Sequence, residues 1–235
     1  MPSGRFIKMK KSLLFILPLA LGIIAGQSQL VHAEGNLPQS YTDSTDPAKV
    51  FPKDKVDKMI QDAEQKPVLP DPGLPEHSRQ KRNAGNQYPR RAGVILVTPD
   101  AYKGIPTGHA AIMRNTNSVV EALSDGVKIG HNNWDNSSAS GKNRVYAVDV
   151  NATSNYQEGV VAEYCAAYKG KPYNWNFFNM DTRDSFYCSQ LIRAGFLDSY
   201  KLDLNTSEFD APFGKVMHPI EFVNSDKTTL IYRRG

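Results

Sequence analysis

Apolar positions recur along this chain with two different periods, and the change of period outlines its architecture. From residue 92 onward the pattern is strand-like. GVILVT (93–98) is a short, nearly continuous apolar run, and GHAAIMRN (108–115) and SVVEAL (118–123) flank Thr116 and Asn117, a hairpin signal. GVKIG (126–130) extends the meander. NRVYAVDV (143–150) alternates apolar and polar residues, and TTLIYRR (228–234) predicts a final strand. Between 130 and 143, HNNWDNSSASGKN reads as a polar loop.

Two segments switch to helical spacing. Ser154 and Gln157 form a capping box ahead of VVAEYCAAYKG, whose Val160, Val161, Tyr164, Cys165 and Tyr168 fall on one face. Cys165 there reads as a small packing residue. The second helix is predicted to start near Asp184 or Ser185, both good N-caps, and to run through CSQLIRAGF. Cys188, Leu191, Ile192, Gly195 and Phe196 follow the i, i+3, i+4, i+7, i+8 pattern, which places Cys188 in the first turn on the buried stripe.

Residues 34–91 differ in composition and hold eight of the fifteen prolines. KDKVDKMIQDAEQ (53–65) predicts one short helix with a thin apolar stripe of Val56, Met59 and Ile60. The proline-rich and then basic stretch that follows reads as a linker or an arm on the domain surface. Its cluster of Arg79, Lys81, Arg82, Arg90 and Arg91 is either a solvated flexible stretch, a proteolysis site or a contact for anionic wall polymer.

The first residues bear on compartment and charge. Lys8, Lys10 and Lys11 precede SLLFILPLALGIIAG, and VHA follows at 31–33, the three-part signature of a secretory signal peptide. An uncleaved anchor is the alternative, although the apolar run is shorter than the roughly 18–20 residues of a comfortable span. Cleavage after residue 33 leaves 202 of the 235 residues, enough for one domain with a real core and some chain left over. It also removes Arg5 and the three lysines from 28 basic residues, leaving 24 against 24 acidic ones. A neutral chain has no global field to attract nucleic acid. Two cysteines are too few for a disulfide scaffold, with a single Cys165–Cys188 bridge left open. HExxH, CxxC and P-loop motifs are absent from the sequence, so no metal, nucleotide or other cofactor is expected.

Cys188 is the residue on which a functional reading turns. A thiol attacks only as a thiolate, and a free cysteine has a pKa near 8.5. The first turn of a helix lowers that value and supplies free N–H groups suited to an oxyanion. A base is also needed. Of His77, His109, His131 and His218, His109 alone begins a strand, which holds a side chain rigidly against a packing helix. A structural histidine is the alternative at that position.

GKPYNWNFF and FYCSQLIRAGF (170–196) together resemble the active-site segment of the NlpC-type papain-like hydrolases, and GHAAIMRNTNSVVEAL (108–123) resembles that family's histidine hairpin. The order, His109 before Cys188, matches the circularly permuted branch, which includes YiiX-like bacterial proteins and relatives of lecithin–retinol acyltransferase. The resemblance covers about residues 92–235. It implies that Cys188 is the nucleophile, His109 the general base and then acid, and Glu121 the residue that orients the imidazole. It implies that Tyr173 lines the oxyanion site, and Tyr187 joins it in the expected substrate-contacting set. Tyr187 and Gln190 depart from the main branch, which has Asp before the cysteine and Gly after the following serine.

Glu121 poses a geometric problem. A two-residue turn at 116–117 pairs it with Ile112 and sets it on the opposite face from His109. A three-residue loop pairs it with Met113, roughly 13 Å from His109 at about 3.3 Å per residue. Only a bulge or strong twist closes the gap; otherwise Asp125 or a loop amide takes the role.

The expected fold is therefore α+β: an antiparallel sheet, partly closed as a barrel and permuted papain-like, with the Cys188 helix on its inner face. The expected organisation is a signal peptide (1–33), an arm (34–91) and a catalytic domain (92–235). The expected function is that of an exported, monomeric thiol hydrolase, secreted or held at the cell envelope, that cleaves an amide bond, with a peptidoglycan stem peptide as substrate. Amidase or acyltransferase work on lipid-like or N-acyl substrates, and an inactive wall-binding module, are the alternatives.

Overall fold

The computed structural model describes residues 45–75, 86–100 and 107–235. The expected signal peptide, residues 34–44 and the basic Arg79, Lys81 and Arg82 lie outside them. In chain order the elements are α1 (Pro47–Val50), α2 (Lys53–Gln65), β1 (Ile95–Thr98), β2 (His109–Asn115), β3 (Ser118–Leu123) and β4 (Gly126–His131). Then come α3 (Ser137–Ser140), β5 (Val145–Val150), α4 (Asn155–Ala167), α5 (Cys188–Tyr200), α6 (Glu221–Asn224) and β6 (Thr228–Arg234).

The architecture is α+β. One six-stranded antiparallel sheet runs β4-β3-β2-β1-β5-β6 and does not close into a full barrel. Each predicted strand forms within two residues of its expected ends, because alternation sorts side chains to two buried faces. Ile95, Val97, Ala110, Ile112, Val120, Tyr146 and Val148 join the cluster that also holds α2, α4 and α5. Leu96, Ala111, Met113, Val119 and Ala147 point the other way, onto Trp134 and Tyr232. Both faces are covered, so β1 and β5 are buried along their whole length.

The helices follow from local signals with one exception. The capping box of α4 is formed as predicted, with Gln157 Oε1 accepting from the Ser154 N–H at 2.9 Å. Cys165 on its buried face is fully enclosed, and α5 crosses close by at Gly195, where a Cβ would stand 2.7 Å from Val161 Cγ1. The exception is the start of α5. Asp184 and Ser185 are not its caps; the helix begins at Cys188 itself, with Tyr187 as N-cap. The preceding strand-like turn is tied elsewhere, Phe186 N–H donating to Pro172 O and Asn174 N–H to Phe186 O. The capping acceptor is internal: Gln190 Oε1 takes the Tyr187 N–H at 3.1 Å.

Residues 45–75, read from composition as part of an arm, pack into the core beside the sheet. Phe51 and Val56 are almost fully buried, and Phe51 meets Phe177, Phe209 and His218 edge-on at ring separations of 4.9–5.5 Å. A side chain of this kind contributes about 1.5–3 kcal/mol on burial. Arg91, from the basic cluster, is spent internally: it pairs with Asp71 at 3.0 Å and with Asp149 and Glu158. Arg90 pairs with Asp135. Among the described residues no helix is long and apolar enough to cross a membrane.

Candidate active site

His109 is the first residue of β2, and its ring leaves the strand on the face shared by Ala111 and Met113. Glu121 joins it through an irregularity in the hairpin. Asn115 pairs with Ser118 across a two-residue turn, but Met113 then pairs with Val119, leaving Arg114 as an extra residue. The one-residue bulge moves the register so that Ala111, not Ile112 or Met113, faces Glu121. His109 is then the diagonal neighbour of Glu121 on the same face, a spacing of about 7–8 Å that long side chains span. Nε2 of His109 lies 2.7 Å from Glu121 Oε2. Arg114, displaced by the bulge, turns to α4 and makes a two-pronged pair with Glu163 at 2.8 and 2.9 Å.

Cys188 approaches from the other side. α5, which begins at Cys188, packs on β2 and β3. The thiol is 6% exposed and free, as is Cys165, so no bridge joins them. Burial opposes ionisation of Cys188, but the His109 imidazole and the N–H groups of Ala110 and Ser189 outweigh it and pull the thiol below its ordinary range. The imidazole responds in kind. Burial works against its charge, while Cys188 and Glu121 hold the proton, and its pKa rises to about 9. Glu121 is held below the usual carboxylate range: burial pushes up, and His109 and Lys142 pull down more strongly. Cys165 behaves oppositely, burial alone driving its thiol far up.

The two tyrosines separate in role. Tyr173 is close enough to feel charge on Cys188, and its ring lies 4.6 Å from that of Trp175, which is 52% exposed. Tyr187 is 1% exposed and accepts a 3.3 Å hydrogen bond from Met217 N–H at its hydroxyl, so it braces the helix start. Gln190 explains its own departure from the related pattern. Fully buried, it accepts from Asn174 Nδ2 at 2.9 Å and donates to Thr182 O at 3.1 Å, tying the 174–182 loop to the helix end. Asp125 is on the surface, paired with Lys128, and takes no part.

Two residues here were not foreseen. Trp134, from the polar loop, stacks on His109 at 5.7 Å with an interplanar angle of 26°. Lys142 Nζ sits 4.4 Å from the centre of that indole. A lone tryptophan among asparagines was the available signal. Two surface cavities lie elsewhere among the described residues: one of about 540 Å³ is lined by Asp149, Ser154 and Tyr156, and one of about 270 Å³ by Val50, Phe209 and Phe213.

No family model matches the chain, and neither does any curated protein. A crystal structure of YiiX from Escherichia coli O157:H7, a DUF1105 protein described as a metalloprotein, is similar to it in fold. The TM-score is 0.50 at 17% identity, over 63% of this chain and 99% of that one. Among the described residues here, no group of three or more His, Cys, Asp and Glu side chains is placed to hold a metal ion. The likeness is one of architecture: this chain shares with YiiX the antiparallel sheet packed against helices of the permuted papain-like fold.

Proposed function

We propose that the chain is a cysteine hydrolase that cleaves an amide bond through an acyl-enzyme on Cys188, acting on peptidoglycan stem peptides. One observation carries the reading: the His109 ring, 2.7 Å from the Glu121 carboxylate, begins β2, the strand against which the Cys188 helix packs, and its charge favours the thiolate. A structural histidine needs no such polarity on both sides.

In this reading the Cys188 thiolate attacks the scissile carbonyl carbon. The carbonyl oxygen becomes an oxyanion, received by the Cys188 backbone N–H with the Tyr173 hydroxyl as a second donor. Imidazolium at His109 gives its proton to the leaving nitrogen as the C–N bond breaks, and a thioester remains. His109, now neutral, takes a proton from water, whose oxygen attacks the thioester. The acid departs and Cys188 returns with the proton on the dyad. Glu121 holds the ring orientation and favours its charged form throughout.

The signal-like N-terminus favours a wall substrate. A second reading, hydrolysis of an acyl amide, draws on the pair of half-buried Tyr173 and exposed Trp175, an aromatic surface that suits an apolar acyl group. Wild type and Cys188→Ala, each incubated with muropeptides and with N-acyl amides, decide between them. Cys188-dependent cleavage of muropeptides is expected. Cleavage of acyl amides alone replaces the substrate. No cleavage of either, with slow alkylation of Cys188, leaves a binding module and sinks the hydrolase.

A further inference from the structure

We propose that Lys142, held against Trp134 on the loop behind His109, is a positioning residue that sets the charge of the imidazole without touching the reacting atoms. The inference rests on the reading above, in which His109 serves Cys188.

The loop 132–144 is fastened along its length. Asn132 Nδ2 donates to Thr116 O at 3.0 Å, and its Oδ1 accepts from the Tyr88 hydroxyl. Asp135 pairs with Arg90, Asp100 accepts from Asn143 N–H at 2.6 Å, and the Lys142 carbonyl accepts from Arg234 Nη2 at 2.6 Å. Trp134 is 1% exposed beneath it. The indole is thus a fixed plate, contacted by the imidazole and by the ammonium. Such a contact favours a cation over an aromatic face and holds Lys142 against the same indole that stacks on His109.

Other charged groups nearby are already committed. Asp100 is shared with Arg144 at 3.3 Å, and Asp135 is taken by Arg90. Lys128, which faces Glu121 across the β3–β4 ladder, turns to Asp125. Among the described residues, Lys142 is the cation seated on the indole that stacks on His109, and it helps hold Glu121 ionised. It does two things. It keeps Glu121 ionised, so that the carboxylate accepts from the ring. It also opposes a second positive charge on that ring, which restrains how far Glu121 and Cys188 raise the proton affinity of His109.

The sign follows. Removing the Lys142 charge lets His109 hold its proton to higher pH, by roughly half a pH unit for charges about 10 Å apart. Reversing the charge moves it about twice as far, and arginine leaves it in place. The test is an NMR titration of the His109 ring in the full chain, in a Cys188→Ala background, comparing Lys142 with Lys142→Met, Lys142→Arg and Lys142→Glu. No shift is expected for Lys142→Arg, an upward shift for Lys142→Met and a larger one for Lys142→Glu. Equal titration in all four, or a shift unrelated to charge, overturns the proposal. If Lys142→Met does not fold, Lys142→Gln supplies the neutral comparison. The chain with Cys188 intact separates the two readings. A His109 that titrates near 6.5 there sinks the thiolate pair, while the Lys142 comparison still stands or falls by itself.

Discussion

The Glu121 carboxylate fills the space that a side chain on Gly130 would take: a Cβ at Gly130 would lie 2.9 Å from Glu121 Oε1. Gly130 sits opposite Val119 in the β3–β4 ladder, so the carboxylate leans over the neighbouring strand on its way to His109. The missing side chain is therefore part of the candidate site. Gly130→Ala is expected to push Glu121 off the imidazole and lower kcat about tenfold, with KM little changed and a small change in Tm. A kcat within twofold of wild type would show that the carboxylate has room to spare.

Alkylation separates the two cysteines by environment. His109, Ala110 and Ser189 pull the Cys188 thiol down against burial, and burial alone drives Cys165 up. Iodoacetamide should modify Cys188 with an apparent pKa below 8.5 and leave Cys165 untouched in the folded chain. The thiolate–imidazolium pair exists above the depressed thiol value and below about 9, where His109 loses its proton. In the proposed mechanism turnover needs that proton for the leaving nitrogen, so kcat should rise on the thiol limb and fall above about pH 9. Peptide mapping of labelled protein and a pH–rate profile check both limbs; equal labelling of the two cysteines contradicts the first.

Glu221 links stability to pH through burial. It is fully enclosed, and burial raises its pKa to about 7 even though Thr206 and the His218 N–H bond its oxygens. The folded state therefore keeps a proton that the unfolded chain releases near 4.5. The stabilisation is present below that value and is lost as pH rises through 4.5 to 7, of order 3 kcal/mol at most. Denaturant unfolding at pH 5 and pH 8 should show a steeper fall for wild type than for Glu221→Gln. Identical pH slopes would remove Glu221 as the cause.

The strands and the α4 cap were readable directly, because alternation and a Ser-x-x-Gln box depend only on neighbours in sequence. Cys188 on a helix and His109 on a strand were readable for the same reason, whereas their pairing was an expectation from the family resemblance. The α5 start was misplaced because its cap comes from Gln190 inside the helix, which also ties the 174–182 loop, so the choice over Asp184 depends on packing far along the chain. The α2 stripe was visible, but not that Phe51 and α2 would be drawn into the core.

Local pattern alone put the thiol in the first turn of a helix and the imidazole at the start of a strand, since period and burial are properties of short segments; that the two elements pack together is a tertiary fact. Folding decided how they are tuned. Turn length left Glu121 with two registers, neither workable, and the third appeared only when Arg114 left the ladder to meet Glu163 on α4. Trp134 and Lys142 looked like loop residues until Tyr88, Arg90 and Arg234 fastened that loop behind His109. Charge acts through space, so its effect on a site depends on which distant groups the chain brings within a few ångströms.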